Sequence, residues 1–68
     1  MTREKLEALE GRFWTDLDEA VAEIGDTGIE VYAWCDEYIT VVDEEDEDEE
    51  ILIYLGHAGN TMWIQDIR

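Results

Sequence analysis

The apolar residues of this chain keep one spacing up to Ile24 and another after Gly28, and that change of period limits what it can fold into. Leu6, Leu9, Phe13, Leu17, Ala20 and Ile24 recur at intervals of three and four, as on a helix with one buried stripe. Trp14 and Val21 widen one edge of that stripe. The stripe keeps its phase across Gly11, so the spacing predicts a single N-terminal helix over about residues 3–24. Thr2 is its expected N-cap, Glu4 sits in the favourable first turn and Gly25 is its expected terminator. Glu4, Glu7, Asp18 and Glu19 then fall on the solvated side.

Asp26-Thr27-Gly28 reads as a turn, and beyond it the period becomes two. Strands are expected over about 29–34, 38–42, 51–55 and 61–66, with residues 43–50 as an acidic connection between the second and third. Ile29, Val31 and Ala33 alternate with Glu30, Tyr32 and Trp34. A loop at Cys35-Asp36-Glu37 sets Trp34 opposite Tyr38 and gathers Ile29, Val31, Ala33, Ile39 and Val41 on one face. A tight loop at Asp36-Glu37 would scatter the apolar groups and lacks the Gly or Asn such turns favour. Gly56-His57-Ala58-Gly59-Asn60 is a second turn sequence; pairing across it puts Leu55 opposite Met62, Ile53 opposite Ile64 and Tyr54 opposite Trp63. The expected fold is α+β: one amphipathic helix packed on a three- to four-stranded antiparallel sheet, a single domain over residues 1–68. Tyr32, Trp34, Tyr38, Tyr54 and Trp63 collect on one face of that sheet. Either they lie outward as anchors for a partner, or the helix covers them as core; the pattern alone leaves both open.

Charge narrows the function. The only basic residues are Arg3, Lys5, Arg12 and Arg68, so Phe13 to Ile67 holds seventeen acids and no Lys or Arg, within a net charge of −16. Eight of those acids are consecutive: Asp43, Glu44, Glu45, Asp46, Glu47, Asp48, Glu49 and Glu50. Such a surface repels nucleic acid and anionic membrane and attracts basic protein surfaces. Solubility alone asks for a net charge of only about 2 to 8 on a small domain. An apolar content of 46% is too high for a disordered chain, although the charge would point that way.

Chemistry has little to work with. His57 is the only histidine and lies in a Gly-rich turn, and Cys35, the only cysteine, has no basic neighbour to activate it and no partner for a disulfide. Neither a phosphate loop nor a nucleophile motif is present, so no enzyme and no cofactor are expected. The acid run offers hard oxygen ligands, but it lacks the central Gly and alternating ligands of a calcium loop, which leaves only weak divalent-cation binding as an alternative. No stretch approaches the ~20 apolar residues of a membrane span, and one unpaired thiol without a leader suits a reducing cytoplasm.

In size, in the base-free stretch 13–67, in the run DEEDEDEE and in its helix-plus-sheet pattern, the chain resembles the small acidic phage-encoded inhibitors that mimic DNA, the anti-CRISPR and anti-restriction proteins. The resemblance is one of general character and rests on no specific motif. It implies a protein in the cytoplasm of an infected host, occupying the surface where a CRISPR effector receives DNA; a monomer or weak homodimer is expected. Asp43 to Glu50, with Glu30, Asp36 and Glu37, would be the mimicking acids, and the five sheet aromatics the possible anchors. The alternative partner is another basic protein, such as a restriction, histone-like or toxin protein.

Overall fold

The computed structural model describes all residues, Met1–Arg68. Two helices, α1 (Thr2–Ala8) and α2 (Leu17–Asp26), precede four strands: β1 (Val31–Trp34), β2 (Tyr38–Asp43), β3 (Asp46–Ala58) and β4 (Thr61–Ile67). The strands form one antiparallel sheet in the order β1-β2-β3-β4, each pairing only with its neighbours along the chain. The α+β class and the antiparallel sheet agree with the sequence pattern. No helix is long and apolar enough to cross a membrane.

The expected single helix is two, because local signals outweigh the continuous stripe. Gly11 adopts φ +89, a conformation open to glycine at little cost, and turns the chain after α1. Phe13 and Trp14 then run extended along β4, where Trp14 N–H donates to Met62 O at 2.9 Å and Met62 N–H donates to Trp14 O at 2.8 Å. Asp16 restarts the helix as N-cap, its Oδ1 accepting from Glu19 N–H at 2.8 Å. Glu19 reaches back to the Thr15 hydroxyl at 2.8 Å, a variant of the capping box. The break exchanges two neighbours: Trp14 is 1% exposed and belongs to the core, while Phe13, expected in the stripe, is 65% exposed. Trp14 also donates its indole N–H to Glu23, which ties the inserted segment to α2.

Thr2 is not the N-cap; that position is Met1. Thr2 is instead buried, and its hydroxyl accepts the backbone N–H of Glu44 at 2.8 Å. Gly25 does not end α2, which continues to Asp26 and is closed by Thr27, whose hydroxyl donates to Ile24 O at 2.6 Å.

One apolar cluster joins Leu6, Leu9, Trp14, Ala20, Ile24 and Ile29 to Ile39, Val41, Ile51, Ile53, Leu55 and Ile64 of the sheet. The alternation of β2 and β3 is therefore resolved: Ile39, Val41, Ile51, Ile53 and Leu55 point into the core, and Thr40, Val42, Leu52 and Tyr54 point away.

Two registers differ from expectation. Val31 pairs with Val41 as expected, but a bulge follows and Trp34 pairs with Ile39 instead of Tyr38, which moves Trp34 and Ala33 each to the opposite face. The β3–β4 turn is the two residues Gly59-Asn60, so β3 runs on through Gly56, His57 and Ala58. Leu55 pairs with Ile64 and Ile53 with Ile67, a slip of two or three residues that a bulge at Gln65 absorbs while the apolar groups keep to the core side. Tyr54 consequently pairs with Asp66, and Trp63 with Gly56.

Candidate partner-binding surface

The acid run is not a free connection. Asp43 ends β2, Glu44-Glu45 is a two-residue turn, and Asp46 to Glu50 are the first five residues of β3. Pairing is irregular there: Asp43 opposes Asp46 and Val42 opposes Glu50, which leaves Glu47, Asp48 and Glu49 without partners on β2. Side chains take over part of the backbone bonding. Asp43 Oδ1 accepts Glu45 N–H at 3.0 Å and Asp46 Oδ1 accepts Asp48 N–H at 3.1 Å. These are Asx turns, a role for which Asp has the right side-chain length and Glu is one methylene too long.

The hairpin is held to the helical end of the molecule through Glu44. Lys5 Nζ lies 2.5 Å from Glu44 Oε1, and the Lys5 ammonium holds the Glu44 carboxyl below its ordinary pKa. Around this point Glu30, Asp43, Glu44, Glu47, Asp48 and Glu50 line an open groove of about 560 Å³, with Tyr32 and Val42 on its walls. Seven of the expected site residues therefore meet at one end of the sheet. Asp36 and Glu37 do not join them. They sit at the far end of β2, six residues and roughly 20 Å away at ~3.3 Å per residue. There His57 Nε2 donates to Asp36 O at 2.5 Å and Leu55 N–H donates to Glu37 O at 2.9 Å. No group of three or more His, Cys, Asp or Glu is placed to hold a metal ion.

The five expected aromatics divide in the same way. Tyr38 and Tyr54 remain together on the face turned away from the core, their rings edge to face at 6.5 Å. Trp63 lies on that face too, its indole over Gly56 so closely that a Cβ there would fall 2.6 Å from the ring. Tyr32, 66% exposed at the bulge, belongs to the acidic groove, and Trp34, 48% exposed, flanks the sheet on the core side. In their place Phe13 stands edge to face against Trp63 at 6.0 Å.

Arg68 is the one base on this face. Its guanidinium carbon is 4.9 Å from the Tyr54 ring centroid, and its Nε donates to Asp66 Oδ2 at 2.8 Å. The bond holds the Asp66 carboxyl below its ordinary pKa and raises that of Arg68. Sequence reasoning missed Phe13 and Arg68. Gly11 and the Asp16-Leu17-Asp18-Glu19 capping pattern were the signals for Phe13; the contacts of Arg68 depend on the β3–β4 register, which the sequence leaves ambiguous.

Compared with protein-family models, curated proteins and solved structures, the chain matches none.

Proposed function

We propose that this protein is a DNA-mimic inhibitor that occupies the positively charged nucleic-acid-binding surface of a basic protein and excludes its DNA. The observation that carries this reading is charge per length. The Cα atoms span 35 × 20 × 18 Å and the chain has a net charge of −16. One turn of duplex DNA is about 34–36 Å long and, at one charge per ~1.7 Å of axis, presents about 20 negative charges. A Lys- and Arg-lined groove would meet a similar charge over a similar length. Three of the four bases add nothing to that groove's repulsion, because Lys5, Arg12 and Arg68 are paired with Glu44, Glu23 and Asp66.

Carboxylates fixed on strands also differ from those of a free loop. Asp43, Asp46 and Glu50 are placed by β2–β3 pairing, and Asx turns at Asp43 and Asp46 shape the segment around them, so a partner loses less by ordering these carboxylates. The resemblance to acidic anti-CRISPR inhibitors makes a CRISPR effector the first target to examine, with other basic DNA-binding proteins behind it.

The test is competition. Added to a purified CRISPR effector with labelled target duplex, the protein should displace the DNA, and the displacement should weaken steeply as salt rises through hundreds of millimolar. Changing Asp46, Glu47, Asp48, Glu49 and Glu50 to Asn or Gln should reduce displacement at least tenfold while the fold persists. A ternary complex in which effector, DNA and inhibitor coexist would overturn the reading for that target.

A further inference from the structure

The sheet has one face that the helices do not use. Val42, Leu52, Tyr54 and Trp63 lie there, outside the core cluster and outside the half-buried residues packed against it. Tyr38 and Phe13 border them at 37% and 65% exposure. Apolar and aromatic groups gathered on one face of a small monomer mark a contact surface.

The face carries its own example of what it binds. The Arg68 guanidinium lies against the Tyr54 ring, 4.9 Å from its centroid, while Nε bonds Asp66, the residue paired with Tyr54 across the strands. Ring and carboxylate together hold one guanidinium. Further rings share the face: Tyr38 stands edge to face with Tyr54, and Trp63 is braced by Phe13. No other cation of the chain makes a ring contact.

We infer that this helix-free sheet face is an arginine-stacking surface, by which the basic partner is gripped through its arginines in preference to its lysines. The inference rests on the reading of the partner as a basic protein, and it adds the kind of base. A guanidinium is planar, weakly hydrated and able to stack on a ring while its edge bonds a carboxylate; an ammonium is a compact, strongly hydrated point charge. A second copy of the chain is a poor occupant, since each brings −16 to the contact. Stacked nucleic-acid bases are poor occupants too, because their phosphates would approach the same acids.

Octa-arginine and octa-lysine peptides provide the test, since they carry equal charge. Titrated into the protein at about 150 mM salt and followed by calorimetry, octa-arginine should bind at least tenfold more tightly. In a Phe13→Ala, Tyr38→Ala double variant, whose substituted side chains are exposed and whose fold is checked by circular dichroism, the gap should shrink to less than threefold. Equal affinity for the two peptides in the wild-type protein would overturn the inference, as would a gap that the double variant leaves unchanged. If the peptides bind equally and DNA is still displaced from the effector, the mimic reading stands and the arginine surface falls. If the arginine preference is found and no DNA-binding protein is displaced, the surface stands and the mimic reading falls.

Discussion

At Gly56 the sheet admits a tryptophan that no other residue would allow. A Cβ on Gly56 would lie 2.6 Å from Trp63 Cε2 and Nε1, and Trp63 is itself braced by Phe13. Gly56→Ala should therefore cost about 1–3 kcal/mol in denaturant unfolding, the usual range for forced overpacking. Adding Trp63→Leu should recover part of that loss, because it removes the ring that the new methyl strikes. An alanine variant as stable as the wild type would show that the indole has room to move. The sequence marks this residue only as part of a turn, since Gly56-His57-Ala58-Gly59-Asn60 offers several turns and only the observed register makes one of them a strand. Phe13 and Trp14 teach the same lesson. Their neighbours Gly11 and Asp16 carry stop and start signals that are readable in the sequence, yet the uninterrupted 3–4 spacing reads more strongly than it acts.

Among the elements, the acidic hairpin and α1 depend on each other. A helix of seven residues is marginal alone. Leu6 anchors it in the core, and Thr2 and Lys5 fasten it to Glu44. The sign of the pH effect follows from Glu44, whose carboxyl is held below its ordinary pKa by Lys5. A depressed folded value contributes stability that is present above the unfolded value and lost as pH falls through the folded one. Lys5→Met should thus lower the melting temperature at pH 7, and the difference should shrink as pH falls below the ordinary glutamate range and close once Glu44 is protonated in the folded protein. A difference that persists undiminished in acid would mean that Lys5 acts through packing. The strands themselves were legible in their alternation, β2 almost to the residue. What alternation could not supply was the extension of β3 through Asp46 to Glu50, because acids in series satisfy no strand preference and are placed there by the Asx turns of Asp43 and Asp46.

For the molecule as a whole, charge and burial pull in opposite directions. Twelve apolar residues make the core, and most of the twenty carboxylates surround it without a base to answer them. Salt should accordingly raise the melting temperature at pH 7 by several degrees between about 10 and 500 mM sodium chloride, over which the screening length falls from roughly 30 Å to under 5 Å. Melting indifferent to salt would show that the acids stand too far apart to repel. The sum of charge was plain in the sequence; its division between an acidic groove at one end of β2 and the Asp36-Glu37 loop at the other was not, since it depends on strand direction. The order β1-β2-β3-β4 carries one further consequence, in the timing of assembly. Every hairpin joins neighbours along the chain, so each can close as soon as its second strand exists, with little loop entropy to overcome. The opening segment cannot. Thr2 waits for Glu44, 42 residues on, and Trp14 sits opposite Met62, 48 residues on. The segment made before the strands is thus the one whose contacts must close over the longest stretches of chain.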